Sequence, residues 1–478
     1  MRLKTWLLYP LLGLLLLAGL LLWGALAVLH TTPSRALAEL DRRSPQELIR
    51  YADAALLEHE ELHALLRPLL LLAQRRVERP TGSIPLPNLG KGHRWVEATP
   101  GLPDERPPAT LPVKTAAELR QALLQARAGD VIELAPGRYR FEQGLKLGGP
   151  GSGLAPIRVR AAQPKATQIE MNTAEGFLVD QPYWVFEDLR VRGVCASDRD
   201  CEHAFHIVAG ADFFELRNSW LENFNAHLKI NGVDGRWPDH GLISRNTLSN
   251  EHPRQTARSV TPVDLVGANF WRISDNLVRN FVKGEGDKVS YGIFVKGGGE
   301  GAKIERNLVV CSPNEISRPG VRVGISFGGG GSDPGFCRDK GCERYEHSAG
   351  LAANNIVAHC NDVGLDVNHA RHILLAHNTL VNTAGMGLRG EGSQAQLYGN
   401  LYEGKLLIKN DGKARAEMEQ PMKAAEVFGS ADNFRMDWRV APERIPSLPA
   451  VPLDFCGRKR PSGTYPGAQE AMAACTDN

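Results

Sequence analysis

The chain has 478 residues, of which 42% are hydrophobic and 23% charged, and its formal charge is +2. That length accommodates one large domain with appendages, and the composition is that of a folded chain, which excludes wholesale disorder. The near-neutral balance does not by itself imply a polyanion, and a nucleic-acid role would need a local basic patch that the sequence does not show, so no nucleic-acid partner is expected.

Residues 5–29, TWLLYPLLGLLLLAGLLLWGALAVL, carry no charge. As a helix they would extend ~37 Å, enough to cross a bilayer core with some tilt. Arg2 and Lys4 precede the run, which keeps the N-terminus cytoplasmic and sends the chain beyond His30 outside. The expectation is a single-pass transmembrane anchor over 1–30 in a bacterial inner membrane, with the body in the periplasm. Ala25 and Ala27 also form an A-x-A cleavage pattern, so a removed signal peptide competes; the length of the apolar run favours the anchor. Residues 31–79 read as a helical stalk, broken only by Pro33, Pro45 and Pro68, and residues 80–112, with eight prolines, read as a linker.

At Thr115 a helix begins, with Glu118 three residues on as in a capping box. Leu119, Ala122, Leu123 and Ala126 line up as an apolar stripe fit to cover the open end of a solenoid. VIEL, RYRF and IRVRA follow as strands.

Over residues 113–410 the chain repeats. Asn218, Asn246, Asn276, Asn307, Asn355, Asn378 and Asn400 recur at intervals of 22 to 48 residues, each followed by a strand-compatible residue. Such a period, with short β-runs and 49 glycines, predicts stacked turns that bury their apolar faces against one another, with the amides in file at one bend. A second set of strands lies between these positions: AFHIV, HLKIN, PVDLV, GIFVK, GISFG and GLDVN, with MGLRGE added if Gly387 takes the first place. Alternation points Phe205 and Ile207, Leu228 and Ile230, Val263 and Leu265, Ile293 and Val295, Ile325 and Phe327, Leu365 and Val367 inward. The outward third column then reads His206, Lys229, Asp264, Phe294, Ser326, Asp366, Arg389; the fifth reads Val208, Asn231, Val266, Lys296, Gly328, Asn368, Glu391. Residues 411–478 are expected to pack on the solenoid as a tail. The eight cysteines suggest pairs Cys195–Cys201, Cys337–Cys342, Cys456–Cys475 and Cys311–Cys360, in keeping with an oxidising compartment.

The opening AGDVIELAPGRY after a capping helix, the asparagine file, and the ending DFCGRKRPSGTYPGAQE (454–470) together resemble bacterial right-handed parallel β-helix proteins of the polysaccharide-lyase kind, such as chondroitinase B, alginate and pectate lyases. The resemblance covers roughly residues 111–470 and implies an all-β, single-stranded right-handed parallel β-helix. It also implies an anionic polysaccharide as substrate. The fold hosts lyases, hydrolases, epimerases and inert adhesins, so activity must be argued from the site. The strings of the polygalacturonase-like hydrolases (N-T-D, D-D, G-H-G, R-I-K) are not found, which weighs against hydrolysis by paired carboxylates.

A lyase needs a base, an acid and a group that neutralises the uronate carboxylate. Lys296, followed by three glycines that admit a ligand, is the candidate base, and Arg322 its candidate partner for the carboxylate. His206, Lys229, Asp264, Asp366, Asn368 and Arg389 are candidate substrate contacts, with Trp237 placed to stack on a sugar. For His206, Lys229 and Asp264, and for the pair Asp366 and Arg389, cross-turn ion pairing is the plainer alternative. Asp234, Asp239 and Asp264 offer hard oxygen donors for Ca2+, although the N-x-E-x-E calcium motif of the related lyases is missing. Against the lyase stand a non-catalytic carbohydrate-binding or envelope-structural solenoid, and an epimerase.

Overall fold

The computed structural model describes Leu56 and residues 60–77, 89–95, 110–313, 320–338, 342, 344–430, 435–470 and 475. The apolar segment 5–29 lies outside them; among the described residues no helix is long and apolar enough to cross a membrane. The chain divides into Met1–Pro80 and Thr81–Asn478. The described helix of the first unit is Glu60–Val77, within the segment expected as a stalk, with Pro68 inside it and Leu62, Leu65, Leu69 and Leu72 exposed.

The second unit is a parallel β-helix. Three parallel sheets of 12, 10 and 11 strands run its length, and strands that neighbour in one sheet come from successive turns. The ten-stranded sheet forms the front of the solenoid, the twelve-stranded one its side and the eleven-stranded one its back. One turn comprises Ala226–Asn231 in front, Leu242–Ser244 at the side and Thr247–Ser249 behind. Alternation sorts the front strands as expected: Phe205, Ile207, Leu228, Ile230, Val263, Leu265, Ile293, Val295, Ile325, Phe327, Leu365 and Val367 all belong to one continuous buried core.

The corner between side and back sheets is built by two adjacent columns. Arg245, Asp275, Arg306, Asn354 and His377 adopt left-handed backbone there, and the residue after each is a ladder asparagine. Asn246, Asn276, Asn307, Asn355, Asn378 and Asn400 are fully buried. Each side chain's Oδ1 accepts the main-chain N–H of the ladder residue one turn earlier, as Asn307 does from Asn276 at 3.0 Å and Asn355 from Asn307 at 2.9 Å. Each Nδ2 donates onward to the next residue's side-chain oxygen and back to a side-sheet carbonyl, for Asn307 at 3.0 and 2.8 Å. Left-handed backbone costs a non-glycine residue roughly 1 kcal/mol, which two or more buried hydrogen bonds per turn offset.

Two features of this file differ from the sequence expectation. Asn218 takes the left-handed place and Ser219 the ladder place, so the amides in file number six and begin at Asn246; Ser219 N–H donates to Asn246 Oδ1 at 2.9 Å. Asparagine fits either of the two adjacent columns, as Asn354 shows in the left-handed one, so spacing alone cannot separate them. At the other end Glu419 occupies the ladder place and accepts from Asn400 N and Nδ2 at 3.1 and 2.9 Å.

The helix Ala116–Gln125 covers the first coil, burying Leu119 and Leu123. Thr115 Oγ1 accepts Glu118 N–H at 3.2 Å, while the Glu118 carboxylate takes Lys114 N–H at 2.6 Å instead of closing the box on Thr115 itself. The solenoid runs on to the strand Gln420–Pro421. The tail then packs Phe428, Phe455 and Ala468 against the outer face of the back sheet, on Leu308, Val310, Ile356, Ala358, Val381 and Leu401. Buried Arg460 ties the closing motif together, donating to Glu470, to Asn354 Oδ1 and to the carbonyls of Gly467 and Ala468. Within the proline-rich stretch, residues 89–95 lie against the back of the solenoid: Lys91 pairs with Asp275 at 2.7 Å and Trp95 Nε1 donates to the Asn218 carbonyl at 2.9 Å. All four disulfides form as the spacing suggests.

Candidate functional site

On the front sheet the outward residues of successive turns face one another in register: His206 opposite Lys229, Lys229 opposite Asp264, Asp264 opposite Phe294, Phe294 opposite Ser326 and Ser326 opposite Asp366. Each step is ~4.8 Å. Lys229 Nζ donates to Asp264 Oδ2 at 2.6 Å. Lys296, at the end of the next strand, lies over the Phe294 ring at 4.4 Å and donates to the Gly330 carbonyl at 3.1 Å. It is 7% exposed. Burial holds its ammonium below the ordinary lysine value; Asp264 and Glu346 oppose that shift and Lys229 adds to it. Asp264 is pushed up by burial, but Lys229 and Lys296 together draw it below the usual carboxylate value. Two cations and a carboxylate thus share one shielded spot.

Above this set His206 bridges Glu175 and Asn231, with Nδ1 and Nε2 each 2.9 Å from an oxygen. His203 beside it is driven by burial to about 3, so it is neutral at physiological pH. Below it Arg389 grips Asp366 with two hydrogen bonds of 2.9 Å and reaches Asp362 at 3.0 Å. Gly387, not Arg389, stands opposite Asp366, so Arg389 belongs to the fifth column and folds back. The strand begins at Gly385, two residues ahead of the expected Gly387, which moves every later residue of that segment by one full alternation. The Asp366–Arg389 pair is a cross-turn ion pair with both carboxylate oxygens used. Asn368 sits next to it, its carbonyl packed against Gly328 and its side chain against Gly390, so closely that a Cβ on either glycine would collide with it.

The structure separates Arg322 from Lys296. Arg322 is opposite Ser290, six residues before Lys296 on the neighbouring strand, which is ~20 Å along the sheet. It is 1% exposed, with its N–H donating to Asn361 Oδ1 at 2.8 Å. The cation that does accompany Lys296 is Lys229.

Trp237 does not present a free ring face. The indole lies directly on Gly232 and Gly267, leaving no room for a Cβ at either, and the Arg338 guanidinium covers it at 4.8 Å. Nor are the three candidate calcium ligands assembled. Asp264 is held by Lys229, Asp239 accepts from Arg338 and from Asn269 N–H, and Asp234 is exposed in a turn closed by Val233 and Arg236. Among the described residues no group of three His, Cys, Asp or Glu side chains is placed to hold a metal ion.

Sequence reasoning passes over Glu346, Phe336 and Arg338. Glu346 is 5% exposed and its carboxylate accepts Gly297 N–H at 2.9 Å, fixing the backbone next to Lys296. Phe336 stands 5.9 Å from Lys229 Nζ. Only the run Gly328–Gly331 hints at this region, by announcing a loop of unusual backbone.

A parallel β-helix with a charged, partly covered front face is the class these features define. Comparison with solved structures agrees on the fold. The chain is similar to pectate lyase Pel9A at a TM-score of 0.53 and 16% identity, over 73% of this chain and 90% of that one. It is also similar, at lower scores, to the PL6 family polysaccharide lyase Pedsa3628 from Pseudopedobacter saltans (TM-score 0.35, 16% identity, 70% and 96% covered). A third likeness is to the GH136 lacto-N-biosidase from Eubacterium ramulus (TM-score 0.44, 13% identity, 79% and 74% covered). No family model matches the chain, and no curated protein sequence matches it.

Proposed function

We propose that the protein is a membrane-anchored, periplasm-facing polysaccharide lyase that cleaves a uronate-containing polymer by β-elimination. The observation that carries this reading is Lys296: a buried amine with a lowered proton affinity, set in a front-sheet face beside a second lysine. In the proposed reaction the neutral Lys296 amine takes the proton from the sugar carbon next to the carboxylate. The electron pair left behind forms the ring double bond, the bond to the glycosidic oxygen breaks, and that oxygen takes a proton from solvent. Lys229 shares its charge between Asp264 and the substrate carboxylate, stabilising the negative charge that builds there. A deprotonated lysine needs the desolvated setting that burial supplies. The architecture shared with Pel9A supports a sugar-polymer substrate by analogy of fold.

The test is a panel of uronate polymers, followed by the ultraviolet absorbance of the unsaturated product. Cleavage by the native chain and its loss, by roughly a thousandfold or more, in Lys296→Ala is the expected result, general-base removal together with lost positioning being that costly. Retention of polymers on a column without cleavage would make the protein a binding solenoid, and solvent-hydrogen exchange at the sugar carbon without cleavage would make it an epimerase.

A further inference from the structure

The described segment 328–338 crosses the front face from the turn of Val321–Phe327 back to that of Ala226–Asn231. Its start is the run Gly328–Gly331, all four with positive φ of 71–143°. Its middle is a single tight turn, Pro334–Phe336, capped by Asp333, whose Oδ1 accepts Gly335 N–H at 2.8 Å. Its far end is fastened by Arg338. Arg338 N–H donates to the Gly297 carbonyl at 2.8 Å, Nε donates to the Gly267 carbonyl at 2.6 Å, and Nη2 bonds Asp239. Trp237 Nε1 adds a bond to the Phe336 carbonyl at 3.0 Å.

Beneath this span lie the groups on which the lyase reading depends. Lys296 spends a hydrogen bond on the Gly330 carbonyl, Phe336 stands over Lys229, and the Arg338 guanidinium occupies the remaining face of the Trp237 indole. One segment therefore conceals an amine, a second cation and an aromatic face at once, and no polymer can reach Lys296 while it is seated.

We infer that residues 328–338 form a latch-held roof, hinged at Gly328–Gly331 and fastened by Arg338, which must lift to admit substrate and which in this closed form occupies the site with its own Gly330 carbonyl. Lifting it frees Lys296, Lys229 and the Trp237 ring together, so the same motion that exposes the base also supplies a stacking surface for a sugar. The contacts that hold it are few and mostly at one end, the arrangement expected of a segment that opens far more often than the β-helix beneath it unfolds. Its role in gating rests on the lyase reading; its opening does not.

The test is the acylation rate of individual lysines of the full chain by a small activated acetate, read by peptide mass spectrometry. Exposed Lys413 serves as the internal standard. In the native protein Lys296 should react at least roughly tenfold more slowly than Lys413, and Arg338→Ala should speed Lys296 by roughly fivefold or more with Lys413 unchanged, because the latch shifts a two-state population. Trp237→Phe, which keeps an aromatic ring and loses the bond to Phe336, should move Lys296 in the same direction by less. Equal Lys296 rates in native protein, Arg338→Ala and Trp237→Phe would overturn the roof, as would a Lys296 that reacts as fast as Lys413 from the start. No polysaccharide enters the measurement, so failure of the lyase reading leaves it intact.

Discussion

On the proposed lyase reading Lys296 is the general base, and its buried environment gives that reading a signed pH dependence. A general base acts only when deprotonated, so kcat/KM should rise with pH and level off at a midpoint below 10.5, the ordinary lysine value from which burial lowers this group. The neighbours tune that midpoint in opposite directions. Asp264 raises the Lys296 proton affinity and Lys229 lowers it. Lys229→Met removes the cation and leaves Asp264 facing Lys296 alone, so the midpoint should move to higher pH. On the lyase reading KM should rise as well, because Lys229 would no longer meet the substrate carboxylate. A pH profile that stays fixed in Lys229→Met, or moves down, would show that the titrating group is not Lys296.

At the scale of elements the asparagine file does two jobs: it satisfies the buried backbone at a corner that turns through left-handed residues, and it holds in register the turns it joins, from Asn246 to Asn400. Its last member is Glu419, which accepts both Asn400 N–H groups with one oxygen while its other oxygen, Oε2, is buried without a partner among the described residues. Burial raises this carboxyl to about 7, against the lowering by its bonds to Asn400. The folded chain therefore holds a proton that the unfolded chain releases near 4.5, and stability contributed by this group is present in full below that value and falls as pH rises towards 7. Glu419→Gln keeps the accepting oxygen and removes the charge. The variant should match the native chain near pH 4 and exceed it at pH 8, by on the order of 2 kcal/mol after allowance for the partial exposure of the site. Thermal melts at the two pH values check this; a stability difference independent of pH would place the ladder's end elsewhere.

These same elements show where the sequence speaks and where it falls silent. The inward columns of the front sheet follow from alternation, because a period of two leaves each side chain one of two faces. The ladder is visible because buried amides must be paired turn after turn. Its first member is ambiguous by one residue because Asn218 and Ser219 are both suited to the corner. Arg322 and Lys296 fall on neighbouring strands of one sheet, yet alternation says nothing about position along the strand, and there the two part. The roof is beyond reach. Its bonds join residues 71 and 99 positions apart, Arg338 to Gly267 and Trp237 to Phe336, and no local pattern encodes a crossing of that kind.

For the whole molecule, the features that bear on location are the uncharged stretch 5–29 and the four disulfides. The disulfides suit an oxidising compartment, and on the membrane-anchored reading proposed above the stretch would be the route to one, with Arg2 and Lys4 keeping the N-terminus inside while the body crosses. A retained anchor and a removed signal peptide both deliver the body to the same side, but only the anchor leaves it tethered. With the anchor retained, the intact chain should stay with the membrane fraction through alkaline carbonate washing and leave it only in detergent. Protease added to the outer side of opened cells should digest the stalk and release a resistant body that begins in the proline-rich stretch after residue 79, because the turns of the β-helix are tied together in three hydrogen-bonded sheets. With the peptide removed, the chain would appear in the soluble periplasmic fraction with a new N-terminus just past Ala27. A body found on the cytoplasmic side, with its eight cysteines reduced, would contradict both routes and remove the polymer of the cell envelope from reach of Lys296.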